Sequence, residues 1–514
     1  MRQRLNSALP IAIAVLAIVA RSLPSPRTID DAFITFRYAR NLLDGAGFVY
    51  NPGEHVLGTT TPLYTLFMAL ISVITGSRDF PWLALGVNAL ADAATCVLLV
   101  RLGEKFSGQR SVGLAAGLLW AIAPLSVTFA IGGMETSVFI LLMVLTADVY
   151  FRGHTRWAAL TAALLLLTRP DGALFVGPLI LDLVIRQLRQ RRFPWAEAGV
   201  FSLTGLPWAI FAGVYFGSPL PHSIAAKLEA YRLPPGAAFV TLIQHYSTPF
   251  FESAVLGNYW QLVGLFVYVA LSLIAALAAF RRNARAWPMA AYPWLYFLVF
   301  AIANPLIFRW YLAPPLPFYF ILILSGLAKL MGDVGASLRR NSSNPALTSA
   351  RVTPAALTLV TLFFGLTSLS DWVQHPNHGP DQPAPQTAWH QLELYYTQVG
   401  QSLAPRVNAQ TVIAAGDVGA LGYFSGARIL DTVGLMSPEA VPYYPLDPAL
   451  YAIVYAIPPQ LILDRRPDYL VLLEVYGRKG LLADARFLAE YTLIEKIPTD
   501  IYGSDGLLIY QRKP

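Results

Sequence analysis

Apolar runs recur along this chain from residue 8 to residue 371, and several approach the roughly 20 residues needed to cross a bilayer. No motif constrains the fold as strongly, because stretches that long and that apolar belong in lipid. Composition agrees: 55% of the 514 residues are apolar and only 13% are charged, whereas soluble domains carry about 25% charge. The expected fold class is an α-helical polytopic membrane protein.

The net charge of +7 does not indicate nucleic acid. Lys and Arg gather in short gaps between apolar runs, where they act as topology signals, and no basic face interleaved with aromatics accompanies them. The single cysteine, Cys96, lies inside an apolar run, which excludes an internal disulfide and a multi-cysteine metal site.

Arg2 and Arg4 place the N-terminus in the cytoplasm. The first apolar segment, about 8–23, lacks a small-x-small cleavage pattern and reads as an uncleaved helix. If "TTPLYTLFMALISVITG" (60–76) also crossed, the basic segment "RLGEKFSGQR" (101–110) would fall outside. We therefore expect 60–76 to lie in the interface, within a first extracytoplasmic loop spanning 24–81. Helices at about 111–130, 157–168, 196–216, 288–303 and 353–371 then run outward. Those at about 82–100, 137–151, 172–186, 259–280 and 310–330 return. The count is about 11 spanning helices, N-terminus in and C-terminus out, for a membrane domain over 1–371.

Beyond 371 a Pro-rich linker (372–386) leads to a region, 387–514, that mixes strand-like and helix-like runs. It reads as a soluble extracytoplasmic α/β domain. Its "GDVGALG" (416–422) lacks the spacing of a dinucleotide fingerprint and reads as a tight strand-to-helix turn.

This threading collects ionisable groups at one membrane face: Asp30, Asp31, Glu135, Arg169, Asp171, His222, Lys227 and Arg309, with Tyr311 beside the last. Each has a plain reading as a loop charge in water. Both signs at matching depth favour one shared cavity, since ionisable groups there usually face a partner or a water-filled space.

In "RTIDDAFITFRYARN" (27–41), the spacing of Thr28 and Asp31 matches a capping box, which gives Asp31 a structural task. Asp30 has no such duty and shares a helix face with Ile34, Arg37 and Tyr38. A carboxylate there can accept the proton of an acceptor hydroxyl. A lone general base suits a donor whose leaving group is already an anion, whereas glycoside hydrolysis generally uses two carboxylates. A departing phosphate needs cations, which Lys227 and Arg309 can supply.

Taken in order, "DDAFITFRYARNLLDGAGFVYNPGEHVLGTTTPLYTLFMAL" (30–70), "GGMETSVF", "LLLLTRPDG", "YFGSPLPHSIAAK" and "RWYLAPPLP" resemble the motif series of bacterial GT-C integral-membrane glycosyltransferases. The resemblance covers nearly the whole chain. Its nearest branch is that of the mycobacterial terminal β-(1→2)-arabinofuranosyltransferases. It implies a polyprenyl-phosphate sugar donor, a glycan or lipid acceptor of the cell envelope, and membrane lipid as surroundings. It also implies multi-pass residence in the bacterial plasma membrane, inversion at the anomeric carbon, and an acidic base in the first outer loop. That role falls on Asp30, with Asp31 second.

Relatives of this kind often carry Lys-Pro where this chain reads "TTTPL" (59–63), so the lipid phosphate passes to Arg309 and Lys227, with Arg169 third. Tyr38, Glu135, Asp171, His222 and Tyr311 would line the substrate cavity. His222 has the alternative of a simple loop hydrogen bond, and Glu135 that of capping the helix that follows it. No cofactor is expected. Adjacent helical carboxylates diverge by about 100°, which favours metal-independent chemistry over ligation by Asp30 and Asp31. Two other classes remain. A flippase for lipid-linked glycans needs a path to both faces, with Asp148 and Asp182 its main candidates inward. A non-catalytic assembly protein gives the Asp pair no task.

Overall fold

The computed structural model describes residues 2–250, 258–341, 349–374 and 388–514. The chain forms two compact units, one from Met1–Pro26, Ala84–Leu206 and Pro235–Pro376, the other from Arg27–Leu83, Pro207–Pro234 and Asn377–Pro514. Most of the expected linker, from residue 375 onward, lies outside the described residues.

Among the described residues, five helices are long and apolar enough to cross a membrane: Phe80–Ser107, Trp195–Tyr215, Tyr259–Arg282, Ala284–Ala303 and Leu316–Val334. A sixth is obtained if Arg110–Ile122 and Pro124–Ile131, which meet at 48°, are one broken span. The expected count of about 11 is not confirmed by these helices. Helices do form at the other expected positions. Arg2–Ser22 and Ser349–Gln374 have 21 and 26 residues, while Thr136–Phe151 and Thr155–Thr168, with 16 and 14, fall below a hydrocarbon core of about 30 Å at 1.5 Å per residue. Pro62–Thr75, with 14 residues, is likewise about 21 Å long; it is not among the candidate spans.

Three local expectations are corrected. The run 111–130 is not one straight helix: Ala123 adopts φ −59°, ψ 128° ahead of Pro124, the extended geometry that a following proline imposes. The basic segment 101–110 is not a loop, since helix Phe80–Ser107 continues through its first seven residues; Lys, Arg and Glu are good helix formers. The helix expected from 310 begins at Leu316, after a single 3₁₀ turn at Arg309–Tyr311. Helices His222–Ala230 and Ala237–Ser247 were not anticipated.

In the second unit a five-stranded mixed sheet has the order β2-β1-β3-β5-β4. Its strands are β1 (Val412–Ala415), β2 (Arg428–Asp431), β3 (Tyr469–Leu473), β4 (Tyr491–Ile497) and β5 (Leu507–Arg512). β1 runs parallel to both β2 and β3, while β5 pairs antiparallel with β3 and β4. All five residues of β3 are buried, as a near-continuous apolar strand in the middle of a covered sheet should be. The α/β character expected for this region is present.

The first outer segment is built onto this sheet within the same unit. Helix Asp30–Leu43 lays Phe33 against Tyr423 and Phe424, with ring centroids 5.2 Å away in each case. Arg37 and Arg40 donate to the carbonyls of Ala427 and Tyr423 at 2.7 and 2.8 Å. Those two bonds fix the helix against the short helix Gly419–Ser425.

Candidate active site

The acidic pair opens its helix directly. Asp30 is the first helical residue and the N-cap is Ile29, in extended conformation with no side-chain cap. The expected capping box from Thr28 to Asp31 is therefore absent, because Thr28 stands one residue too early for it.

The expectation that Asp30 lacks a structural duty is also overturned. Its Oδ2 accepts from the Gly419 N–H at 2.8 Å and its Oδ1 from the Ala420 N–H at 2.7 Å. Burial, with the charge of Asp417 adding, pushes the Asp30 carboxyl well above the usual carboxylate range, against the pull of the two N–H bonds. Glycine is required at the contact. A Cβ on Gly419 would stand 1.7 Å from the Asp30 carbonyl oxygen.

Asp31 is half-buried. One position further along the helix, it points about 100° away from Asp30, and no described residue hydrogen-bonds its carboxylate. Its charge bears on Asp417 and Tyr231. Asp417 is half-buried as well and accepts from the Tyr396 hydroxyl at 3.1 Å. Burial, with Asp31 adding, drives its carboxyl up to about 6. Tyr231 and Tyr455 face each other at 6.0 Å, and Tyr455 and Tyr476 at 5.1 Å. Sequence reasoning missed Asp417 and Tyr396. The signal available was "GDVGALG", whose turn reading is right: β1 ends at Ala415 and the helix starts at Gly419.

Tyr38 is not a cavity residue. It is 0% exposed, its hydroxyl donates to the Val56 carbonyl at 2.7 Å, and it accepts from the Gly58 N–H at 3.1 Å. It holds an irregular loop closed. His222 and Lys227 lie on helix His222–Ala230, both half-buried. The His222 backbone N–H donates to Leu57 at 2.8 Å, while its buried Nε2 has no partner among the described residues. Burial lowers the imidazole pKa, with Glu439 opposing.

The remaining expected residues belong to the other unit. Arg169 grips Asp171 through Nε and Nη2, both at 2.9 Å, and reaches Glu135 with Nη1 at 3.3 Å. The rings of Phe139 and Tyr311 stand 5.2 and 5.0 Å from its guanidinium carbon. A guanidinium enclosed this way, 3% exposed, has no face left for a phosphate, so Arg169 is not carried forward as a phosphate ligand. Asp171 and Glu135 are committed to the same cluster. Glu135 stands at the N-cap of helix Thr136–Phe151, yet its side chain makes no cap bond. Tyr311 accepts the Tyr296 hydroxyl on its carbonyl at 2.8 Å.

Arg309 faces a cavity of about 600 Å³, whose lining includes Gln244, His245, Thr248 and Gln261. His245 Nε2 lies 2.8 Å from the Leu312 carbonyl. Burial takes its imidazole down to about 4, so it lines the cavity as a neutral ring.

This architecture has solved counterparts. It is similar to the crystal structure of ArnT from Cupriavidus metallidurans bound to undecaprenyl phosphate. The TM-score is 0.58 at 12% identity, over 98% of this chain and 97% of that one. It is also similar to the Archaeoglobus fulgidus oligosaccharyltransferase tethered with an acceptor peptide. There the TM-score is 0.57 at 13% identity, over 99% of this chain and 74% of that one. The chain has the fold of the GT-C glycosyltransferases.

With five helices among the described residues apolar and long enough to span, this chain is a membrane protein. Among curated proteins it is similar to the terminal β-(1→2)-arabinofuranosyltransferase of Mycobacterium tuberculosis. The match is 29% identical over 217 residues, 38% of this chain and 34% of the relative. The enzyme of the same description from Corynebacterium glutamicum matches at 29% over 230 residues, 38% of this chain and 32% of the relative. The chain thus spans about a third of the length of the curated relatives it matches. Residues 385–510 match a family described as a domain of unknown function (DUF8728); they include Asp417, Tyr396 and the turn that holds Asp30.

Proposed function

We propose that this GT-C protein transfers a sugar from a polyprenyl-phosphate carrier to a glycan or lipid acceptor of the bacterial cell envelope. The reaction takes place on the extracytoplasmic face and inverts the anomeric centre. The observation that carries this reading is the half-buried acidic pair opening helix Asp30–Leu43, on a fold shared with a protein solved with undecaprenyl phosphate bound. One carboxylate of the pair takes the acceptor hydroxyl proton. The acceptor oxygen bonds to the anomeric carbon as the bond from that carbon to phosphate breaks, and the electron pair leaves with the lipid phosphate.

Charge grows on that phosphate in the transition state and calls for fixed cations. Lys227, in the same unit as the acidic pair, supplies one, and no metal or cofactor is invoked. The curated relatives favour an arabinofuranosyl donor. A flippase reading is disfavoured by the two inward carboxylates it would use. Asp148 is paired with Lys105 at 3.2 Å and with Arg152. Asp182 accepts from Arg186 at 2.7 Å and Trp287 at 2.8 Å.

The test is a transfer assay on full-length protein in proteoliposomes, supplied with polyprenyl-phospho-arabinofuranose and the lipids identified by mass spectrometry of the purified protein. A new glycoside of inverted configuration, with Lys227→Ala raising the donor KM, is the expected result. Translocation of a lipid-linked sugar without any new glycosidic bond would establish the transporter instead.

A further inference from the structure

We infer that the Gly416–Ala420 turn of the C-terminal domain belongs to the reaction centre: it holds Asp30 as a positioning residue and leaves Asp31 to take the acceptor's proton. The inference rests on the glycosyltransferase reading and divides the work within the acidic pair. Both oxygens of Asp30 already receive backbone N–H groups, at 2.8 and 2.7 Å. Those two bonds turn both oxygens of the Asp30 carboxyl toward the domain turn, and because burial still raises its pKa, it is this fixed geometry and not a weakened basicity that gives Asp30 the positioning part. Asp31 is rotated about 100° from it, half-buried, with no hydrogen bond from any described residue.

The turn is shaped for this contact. A Cβ on Gly419 would collide with the Asp30 carbonyl oxygen at 1.7 Å and lie 2.9 Å from its carboxyl carbon. The turn is anchored on both flanks. Tyr396, on helix Ala388–Leu403, donates to Asp417 at 3.1 Å, and Tyr50 donates to the Val418 carbonyl at 2.6 Å. Arg37 stacks over the Tyr50 ring at 4.3 Å and bonds the Tyr50 carbonyl at 2.8 Å. A line of contacts therefore runs from helix Asp30–Leu43 to the domain turn and back to the first residue of that helix. Asp31 faces Asp417 from the turn, Tyr231 from the segment after helix His222–Ala230, and Asp30 beside it.

The experiment compares Asp31→Asn, Asp31→Glu, Asp30→Asn, Asp30→Glu and Gly419→Ala in full-length protein in proteoliposomes, with polyprenyl-phospho-arabinofuranose as probe and folding checked by thermal melts. Asp31→Asn should lower kcat by about 10²–10⁴-fold and leave the donor KM unchanged. Asp30→Asn and Gly419→Ala should lower kcat by about 10- to 100-fold through misplacement, and Asp30→Glu should recover part of the loss while Asp31→Glu recovers none. Wild-type kcat in Asp31→Asn, or a larger loss of kcat in Asp30→Asn than in Asp31→Asn, overturns the division of roles and leaves the glycosyltransferase reading standing. Absence of any transfer by the wild-type protein, with sugar lipid translocated, overturns both.

Discussion

Arg21 donates through Nη1 to the carbonyl of Ala121, 2.9 Å away, just before the bend that Pro124 makes between Arg110–Ile122 and Pro124–Ile131. A bend of this kind strips carbonyls of their helical donors, and a guanidinium with five N–H groups can replace one. The rest of Arg21 is equally engaged. It binds Asp92 at 2.7 Å, Ala17 at 2.9 Å and Ser126 at 2.5 Å, and Asp92 also accepts from Trp120 and Ser137. Both charges are 0% exposed. Breaking one partner of a buried pair costs about 3–5 kcal/mol, whereas replacing both by apolar groups is often neutral. Arg21→Met should therefore lower the thermal midpoint in detergent sharply, and Arg21→Met/Asp92→Leu should recover most of the loss. A single variant as stable as wild type would refute the arrangement.

Asn51 closes the open edge of the sheet with a side chain. β2 is an edge strand, and the Asn51 amide takes the place of a neighbouring strand by donating to the Ile429 carbonyl at 2.9 Å and accepting its N–H at 3.0 Å. Asn51→Ala leaves the buried Ile429 N–H unsatisfied, at about 1–3 kcal/mol, and its carbonyl with only the Ser437 hydroxyl at 3.4 Å. The expected outcome is faster proteolytic cleavage within residues 44–60 of otherwise folded protein. Cleavage at the wild-type rate would show that the edge is held by other contacts.

What could be read in the sequence follows from where each force acts. Apolar runs report lipid exposure locally, so the long apolar helices between 137 and 303 were legible to within a few residues, while the shorter His222–Ala230 and Ala237–Ser247 were not. The alternation of apolar strands with turns marked the α/β region. The partner of Asp30 was not legible, because Gly419 lies 389 residues away and a carboxylate bonded to backbone N–H leaves no pattern in the residue it meets. Tyr38 misled for a similar reason: its hydroxyl is satisfied by the main chain of an irregular loop. Arg169 and Asp171 stood two residues apart in plain view, but only the 3₁₀ turn Pro170–Gly172 folds that carboxylate back onto the guanidinium. The broken span hid because the run stays apolar straight through Pro124.

Two helices of the membrane unit touch at a glycine. In Leu316–Asn341, a Cβ on Gly326 would stand 2.0 Å from the Leu271 carbonyl oxygen of helix Asn258–Arg282. Small residues let helix backbones approach this closely in membranes. Overpacking typically costs about 1–3 kcal/mol, so Gly326→Ala should lower the thermal midpoint measured by tryptophan fluorescence. Gly86, with nothing within 4 Å, is the matched control, and Gly86→Ala should be neutral or slightly stabilising because alanine is the better helix former. Equal effects at both sites would contradict the close approach.

Glu393 makes the C-terminal domain sensitive to pH. It is 4% exposed, accepts from the Thr397 hydroxyl at 3.0 Å and has His390 Nδ1 at 3.5 Å. Burial pushes its carboxyl from 4.5 up to about 7. Because the folded state holds this proton to higher pH than the unfolded chain does, the associated stability is complete below pH 4.5 and is lost as pH rises through 7. By linkage the loss is about 3 kcal/mol once the carboxyl is fully ionised. Asp417 and Asp431, each raised to about 6 chiefly by burial, act in the same sense from about pH 4 to 6, in wild type and variant alike. Glu393→Gln keeps the shape and removes the titration, so the difference between the two proteins isolates this one group. The thermal midpoint of the variant should fall less between pH 5 and 8.5, and at pH 8.5 the variant should be the more stable protein. A difference between the two that stays constant across that range would mean that Glu393 is already ionised in the fold at pH 5, held so by His390.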